Sequence, residues 1–549
     1  MKKILIRTTL FCAVIASAFS CSKQIDDAYQ NPNAPVRVPV ETLLPNLIAS
    51  MAGNYGGHGT MNDTRYIGAY VQNFQFYLPL SVYDQMGYTN SVSDIGQSTW
   101  RMHYYDIGQN NTRMIEWAKE EKKWDYVGVG QAIFAWSWMT MTDYYGDIIL
   151  DEAFRTELIT FKYNTQEEVY THVRKLCFES LENLNKTGDG VSQANLAKGD
   201  AFFYNGDVNK WKKFVYGVLA RYYNHQSNKS TYKADSVIYY TNLSLASTDD
   251  NGLVKFTANS LSATNNFFGP FRGNLAGTGT TAPTAIRQGA YIANLMNGTN
   301  SEFAGVQDPR AWYMLRGNTN GTIKGVAANK GQAVITANDR PENFWGVSQV
   351  VASNAAPATD ANCRFIFRNS APFPILTASE IQFMKAEAAF RKGDKATAYQ
   401  AYKDGISASF DMLSTTYNVN IPVGKEITPV NKLAYMSNTA VVPATSAGLT
   451  LTKIMLQKYI AMFAHGALET WMDLRRFHYS DLDAQTGAQV YKDFVVPTAG
   501  DLYVDNQGLT VQRVRPRFNS EYVWNILELQ RIGATGLDYH TKKLWVTEP

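Results

Sequence analysis

Apolar residues recur at helical spacing along two long stretches of this chain and lose that rhythm between them. Trp100, Tyr104, Ile107, Asn111, Met114, Ile115 and Ala118 fall on one stripe, which predicts a helix over 100–121. The next run, 125–142, is apolar nearly all round, so that helix should be buried; Gly146 ends it and 147–150 continues extended. Thr165 and Glu168 form a capping box before a helix over 165–184. Asp207 caps another that runs to His225, and 234–243 supplies a shorter one. The rhythm returns at 379–391, turns at Gly393-Asp394 and continues over 395–410, 451–465 and 467–477. Shorter helices are predicted over 42–51, 66–81 (ended by Leu78-Pro79) and within 520–531, with loops at 55–64 and 83–98.

Taken in order, these helices form about four antiparallel pairs: 100–121 with 125–142, 165–184 with 207–225, 379–391 with 395–410, and 451–465 with 467–477. Ala386 and Ala389 are small where two helices must approach closely, and Ala398 with Tyr402 fits the second helix of a tetratricopeptide-like repeat. The fold class is therefore mostly α, with helical pairs forming a scaffold over about 100–225 and 379–477. Between them, about 247–374 is rich in Gly, Asn, Thr and Ser, with little periodicity. Irregular regions of that length inside a compact protein are usually functional or disordered, and the scattered aromatics here favour order.

The N-terminus changes the picture of where this body works. Lys2, Lys3 and Arg7 precede a short apolar run that ends in Ala18-Phe19-Ser20-Cys21. The run is shorter than the ~20 residues that span a bilayer, and it reads as an export signal over 1–20. Two outcomes follow from it: cleavage near Ser20 with simple secretion, or acylation of Cys21. Residues 21–41, with Asn31-Pro32-Asn33-Ala34-Pro35, read as a tether leading to a single domain over 42–549. The formal charge of +3 is carried wholly by the three basic leader residues, so the remainder is balanced and no nucleic acid is expected as a partner. Beyond Cys12 and Cys21 there are only Cys177 and Cys363, which provide no disulfide framework.

Several motifs in series resemble those of one known family. Thr142-Asp143-Tyr144-Tyr145-Gly146-Asp147-Ile148 resembles their TD-x-x-G-D segment, and Trp211-Lys212-Lys213-Phe214 with Leu219 and Arg221 their W-K-K-F helix. Glu380 with Ala386-Glu387-Ala388 is similar to the "SE…AEA" helix, and Gln457-Lys458-Tyr459 with Glu469, Trp471, Asp473, Arg475 and Arg476 to the "QKW…E-x-W-x-D-x-R-R" stretch. Arg517-Phe518 with Ser520-Glu521 resembles the closing segment, and the five together are similar to the SusD-like (SusD/RagB) nutrient-binding lipoproteins. The resemblance spans nearly the whole chain after the leader. It implies lipidation at Cys21, durable anchoring at ~0.8 kcal/mol per buried CH₂, and a position on the cell-surface face of the outer membrane, with Asp26 and Asp27 compatible with surface export. It also implies a TonB-dependent SusC-like β-barrel as partner and oligosaccharide as ligand. The alternatives are oligopeptide cargo, or a scaffold subunit that binds no nutrient.

Chemistry in the sequence points to binding rather than catalysis. The seven histidines show no paired ligand spacing, and there is no G-x-S-x-G or P-loop. Gly277-x-Gly279 lacks the context of a dinucleotide site, and Asp481-x-Asp483 misses the glycine and glutamate of a calcium loop. No catalytic residue, metal site or cofactor is expected, although the two carboxylates of a glycosidase would leave no signature. Flat rings cover the C–H faces of sugars while Asn and Arg bond their hydroxyls, and loops on a rigid scaffold suit that task. The candidate ligand-binding residues are Arg65, Asn73, Tyr77, Tyr83 and Tyr88, with Phe267, Phe268, Trp312 and Trp345 in the irregular region. Trp100 opens an amphipathic helix and is expected to pack, and the motif residues Trp211, Trp471, Asp473, Arg475 and Arg476 are expected to be structural.

Overall fold

The computed structural model describes residues 37–53, 58–87, 97–259, 264–276, 285–348, 355–516 and 518–549. Cys21, most of the tether, Tyr88 and Arg517 lie outside them.

A row of helices forms the body. Gln109–Glu120 packs on Trp124–Tyr145, which packs on Gln166–Leu184; Val208–His225, Ala234–Leu243, Ala378–Lys392 and Lys395–Thr416 continue the row. Local chemistry sets the ends. Thr165 and Glu168 make the reciprocal capping box, and the Asp207 carboxylate accepts from the backbone N–H groups of Asn209 and Lys210. Gly393 adopts φ 88°, a left-handed turn that glycine takes without a Cβ penalty, and so permits the tight reversal into the next helix. The helix 124–145 is buried at every position except Trp124, Thr140 and Asp143, as its all-round apolarity requires. It approaches its neighbour closely because Gly128 lacks a side chain: a Cβ there would meet Leu184 Cγ at 2.5 Å.

The helix before it is not uniform. Gln97–Arg101 leads into a π-helical stretch, Met102–Gly108, before the α-helix at Gln109–Glu120. The predicted fourth pair also differs from the first three. Leu451–Ala461 and Ala467–Arg476 are helices, but the first packs on 378–392 and 395–416, whereas the second packs on 60–70 and 208–225. Another difference lies near the N-terminus. The helix expected over 66–81 is instead Thr60–Tyr70, followed by a strand, Phe74–Phe76, which pairs antiparallel with Ile286–Gln288. Tertiary pairing decides this segment: Phe74 is buried edge-on against Phe268, Phe344 and Phe463. Two further antiparallel ribbons, Ile148–Ile149 with Tyr163–Asn164 and Gly252–Val254 with Phe373–Leu376, complete the sheet content of the described residues. The described part of 247–374 is mostly irregular yet carries much of the core, with Phe268, Trp345, Phe365 and Phe367 fully buried.

The motif residues form an ionic spine inside the body. Arg221 donates to both Glu380 oxygens, with Nη2 at 2.7 Å, and to the Ile375 carbonyl at 3.0 Å. Arg476 meets Glu387 at 2.8 and 2.9 Å and Asp473 at 2.6 Å, and Lys458 Nζ lies 2.7 Å from Asp473. His225 bridges Tyr170 and Glu469 at 2.9 and 2.8 Å. Arg475 lies on the Trp471 ring and donates to the carbonyls of Asp143 and Gln512. These groups join the 208–225, 378–392, 451–461 and 467–476 helices. Arg221, Lys458 and Arg476 are buried and ion-paired, so removal of a partner would weaken the compensation of a charge in low dielectric, whereas Arg475 is held by carbonyls and a ring alone. Cys177 and Cys363 are both buried and unbridged, and burial pushes the Cys363 thiol up to about 12. No helix among the described residues is long and apolar enough to cross a membrane.

Candidate ligand-binding site

The 60–70 helix places Asn62, Arg65 and Tyr66 at i, i+3 and i+4, hence on one face. Asp63 anchors this helix by accepting from the Thr99 amide at 2.7 Å and from the Thr99 hydroxyl. After the strand at 74–76 the chain turns back. Both oxygens of Asp84 accept from the Phe76 amide at 3.2 Å, and burial holds that carboxyl well above the ordinary range. The turn brings Tyr83 over Tyr66, with ring centroids 4.3 Å apart and planes 23° apart; Tyr83 also stacks on Phe76 at 4.9 Å and 29°. Phe76 is buried, while Tyr66 and Tyr83 are half-buried, so the stack rises from the core to the surface. Burial, then the Tyr66 phenol beside it, raises the Tyr83 pKa, which leaves a neutral hydroxyl at physiological pH.

Arg65 extends this ledge. Its guanidinium covers the Tyr66 ring at 4.5 Å and lies 5.7 Å from Phe267, which Arg272 also approaches at 5.1 Å. Arg65 donates to the Asn274 carbonyl at 2.8 Å and to the Asn62 side chain at 2.7 Å. The result is a part-exposed platform of stacked rings edged by amides and a guanidinium, a combination that fits the C–H face and hydroxyl rim of a sugar.

Of the residues singled out in the sequence, Arg65 and Tyr83 stand in the ledge and Phe267 lies beneath it, buried. Tyr77, next after the strand residue Phe76, is half-buried under the Arg287 guanidinium at 5.3 Å. Trp312 is half-buried beneath Lys425 at 4.7 Å and makes no ring contact with the ledge. Asn73, Phe268 and Trp345 are interior groups. The Asn73 side chain accepts from the Ala464 amide at 2.9 Å, Phe268 packs on Phe74 and Phe367, and the Trp345 indole donates to the Phe268 carbonyl at 2.8 Å. They hold the loops and offer no open face. Tyr88 and Cys21 lie outside the described residues. Tyr66, Asn62 and Asn274 are the ledge residues that sequence reasoning missed. The i, i+3, i+4 set Asn62–Arg65–Tyr66 is the signal for them, and it falls ahead of the apolar run that begins at residue 66. Among the described residues no group of three or more His, Cys, Asp or Glu side chains is arranged to hold a metal ion.

With the fold and this platform in view, comparison with known proteins gives the class. Residues 32–498 match the SusD-like family described as starch-binding and associating with the outer membrane, and this chain belongs to that family. A SusD/RagB family protein from Bacteroides thetaiotaomicron is similar over 93% of this chain and 99% of its own, with a TM-score of 0.65 and 21% identity. A chitin-binding protein matches over the same shares with a TM-score of 0.65 and 20% identity. A Bacteroidetes AC2a SusD-like protein covers 93% and 100%, with a TM-score of 0.67 and 17% identity. At such identities the likeness is one of fold. No curated protein matches the chain.

Proposed function

We propose that this chain is a lipoprotein, anchored through Cys21 at the cell-surface face of the outer membrane, that binds neutral oligosaccharide and passes it to a TonB-dependent SusC-like barrel. The observation that carries the binding step is the half-exposed stack of Tyr66 and Tyr83 beside Arg65, Asn62 and Asn274. Rings with few rotatable bonds supply contact area at small entropic cost. The family description and the chitin-binding relative support a glycan as the ligand. The reading involves no catalysis: the platform offers ring faces and donors and no pair of carboxylates. Affinity in the micromolar to millimolar range, roughly −4 to −8 kcal/mol, suffices for capture followed by release to a transporter.

Calorimetric titration of the purified protein with glycan pools and peptide pools tests the cargo. Saturable glycan binding that weakens at least tenfold in Tyr66→Ala/Tyr83→Ala supports the reading; saturable peptide binding with no response to any glycan overturns it. The anchor has its own test. Cys21→Ala should give folded, ligand-competent protein released from the membrane and unable to support uptake, and a variant that stays surface-anchored contradicts it.

A further inference from the structure

A second aromatic surface lies on elements that the ledge does not use. The π-helical stretch 102–108 presents Tyr104 and Tyr105 in succession, and two hollows meet at them. One, of about 480 Å³, is walled by Trp100, Tyr104, Phe154 and Phe161. The other, of about 370 Å³, is lined by Asn46, Asp106, Gln109 and Asn110. Tyr104, Tyr105 and Gln109 line both, so the hollows are the aromatic and polar halves of one trough.

Several features show that the trough is built rather than incidental. π-helical turns are uncommon and concentrate at functional sites. Phe154 sits at φ 64°, a left-handed backbone that a bulky residue adopts only when its surroundings impose it. Its ring is accepted because Gly108 is bare; a Cβ at Gly108 would lie 2.0 Å from Phe154 Cε1. The Tyr104 hydroxyl donates to the Ile149 carbonyl at 2.6 Å and Gln109 Nε2 to the Phe154 carbonyl at 3.1 Å, which fixes the wall. His58 bonds Asp106 at 2.9 Å and meets the Tyr105 ring edge-on. Tyr105 itself is 72% exposed. A large aromatic held at that exposure contributes little to the core.

The chemistry selects the ligand class. One half of the trough offers ring faces; the other offers the Gln109 carbonyl oxygen and the Asn46 and Asn110 amides. Of the charged groups at its walls, Asp106 is paired with His58 and Arg155 with Glu157 at 2.8 Å, Glu521 is held by the neutral Tyr163 and Asn525, and Arg101 stands exposed at the aromatic end. A bare apolar ligand would displace water from the Asn46 and Gln109 side chains without replacing its hydrogen bonds, and a strongly ionic one would meet Arg101 and Glu521 together, with no concentration of one sign. A neutral sugar satisfies both halves.

We propose that this trough is a second carbohydrate site, which stacks a pyranose ring of a neutral oligosaccharide on Tyr105, seats its C–H face against Tyr104 and Phe154, and bonds its hydroxyls through Asn46, Gln109 and Asn110. The inference rests on the reading of the protein as a glycan binder. Two sites on one chain bind a long glycan with higher apparent affinity than either site alone, provided the glycan spans them.

The test titrates wild type, Tyr66→Ala/Tyr83→Ala, Tyr105→Ala and the triple variant with maltoheptaose and chitohexaose, and probes all four on an array of plant, fungal and host oligosaccharides. The expected result is residual binding in the ledge variant that disappears in the triple variant, with Tyr105→Ala alone weakening long-chain binding about tenfold and melting as the wild type does. Loss of all binding in the ledge variant, with Tyr105→Ala indistinguishable from wild type, overturns the second site and leaves the ledge reading standing. Loss of all binding in Tyr105→Ala, with the ledge variant unaffected, supports the trough and overturns the ledge. A wild type that binds no glycan on the array overturns both.

Discussion

The ionic spine and the aromatic ledge reverse the usual placement of residue types. In the spine, Arg221 with Glu380, Lys458 with Asp473, and Arg476 with Glu387 and Asp473 are ion pairs buried among helices. At the ledge, Tyr66 and Tyr83 are rings left partly open to solvent. Each departure has its own physical cause. The buried charges tie the 208–225 and 378–392 helices to the 451–476 region, far along the chain, through directional bonds, a specificity that apolar packing alone supplies less sharply. The part-open rings rest on that fixed base, where the proposed ligand would reach them. The difference predicts a separation of effects: spine substitutions should act on stability and ledge substitutions on binding.

The largest expected effect is at Arg476. Arg476→Met removes the buried cation that Glu387 and Asp473 share, leaves Glu387 to Arg391 and Asp473 to Lys458, and should cost about 3–5 kcal/mol in chemical denaturation, with glycan affinity of the folded fraction unchanged. A loss below about 1 kcal/mol would mean that the spine does not organise the fold. Glu387→Gln should come next and carry a pH signature. Burial pushes the Glu387 carboxyl up, but the Arg476 and Arg391 guanidiniums outweigh it and hold it well below the usual range. A depressed acid contributes stability that is full above its unfolded pKa of about 4.3 and fades as pH falls through its folded one. The stability gap between wild type and Glu387→Gln should therefore be constant near neutrality and shrink below about pH 4. A gap that widens in acid would reverse the assignment.

At the ledge, Tyr66→Ala/Tyr83→Ala should lower glycan affinity at least tenfold, about 1.4 kcal/mol, while stability falls by no more than about 2 kcal/mol. A collapse of the fold would show the stack to be core. The smallest effect is at Trp345, where Trp345→Phe removes the bond to the Phe268 carbonyl and should cost about 1 kcal/mol with no change in binding.

The scaffold was legible in the sequence because its signals are local. Apolar stripes, the Thr165–Glu168 box, the Asp207 cap and Gly393 each act within a few residues, and the helices at 124–145, 166–184, 208–225 and 378–416 lie close to where those signals put them. The strand at 74–76 was hidden because its partner, 286–288, lies far along the chain and only pairing makes it a strand. The divergence of the last two helices is likewise set by their neighbours. The ledge was half legible. Aromatic loops were recognisable, but whether a ring packs or lies open depends on what folds over it. Thus Trp345 and Phe268 turned out to be interior, Tyr83 part-exposed, and Tyr66 was hidden by a misplaced helix start.

Hydrogen exchange with and without saturating glycan tests the division of labour most directly. Slowed exchange at 62–66, 76–84 and 266–274, with the 378–392 and 467–476 helices unchanged, is the result the account predicts. Slowing confined to those spine helices, with none at the ledge, would contradict it.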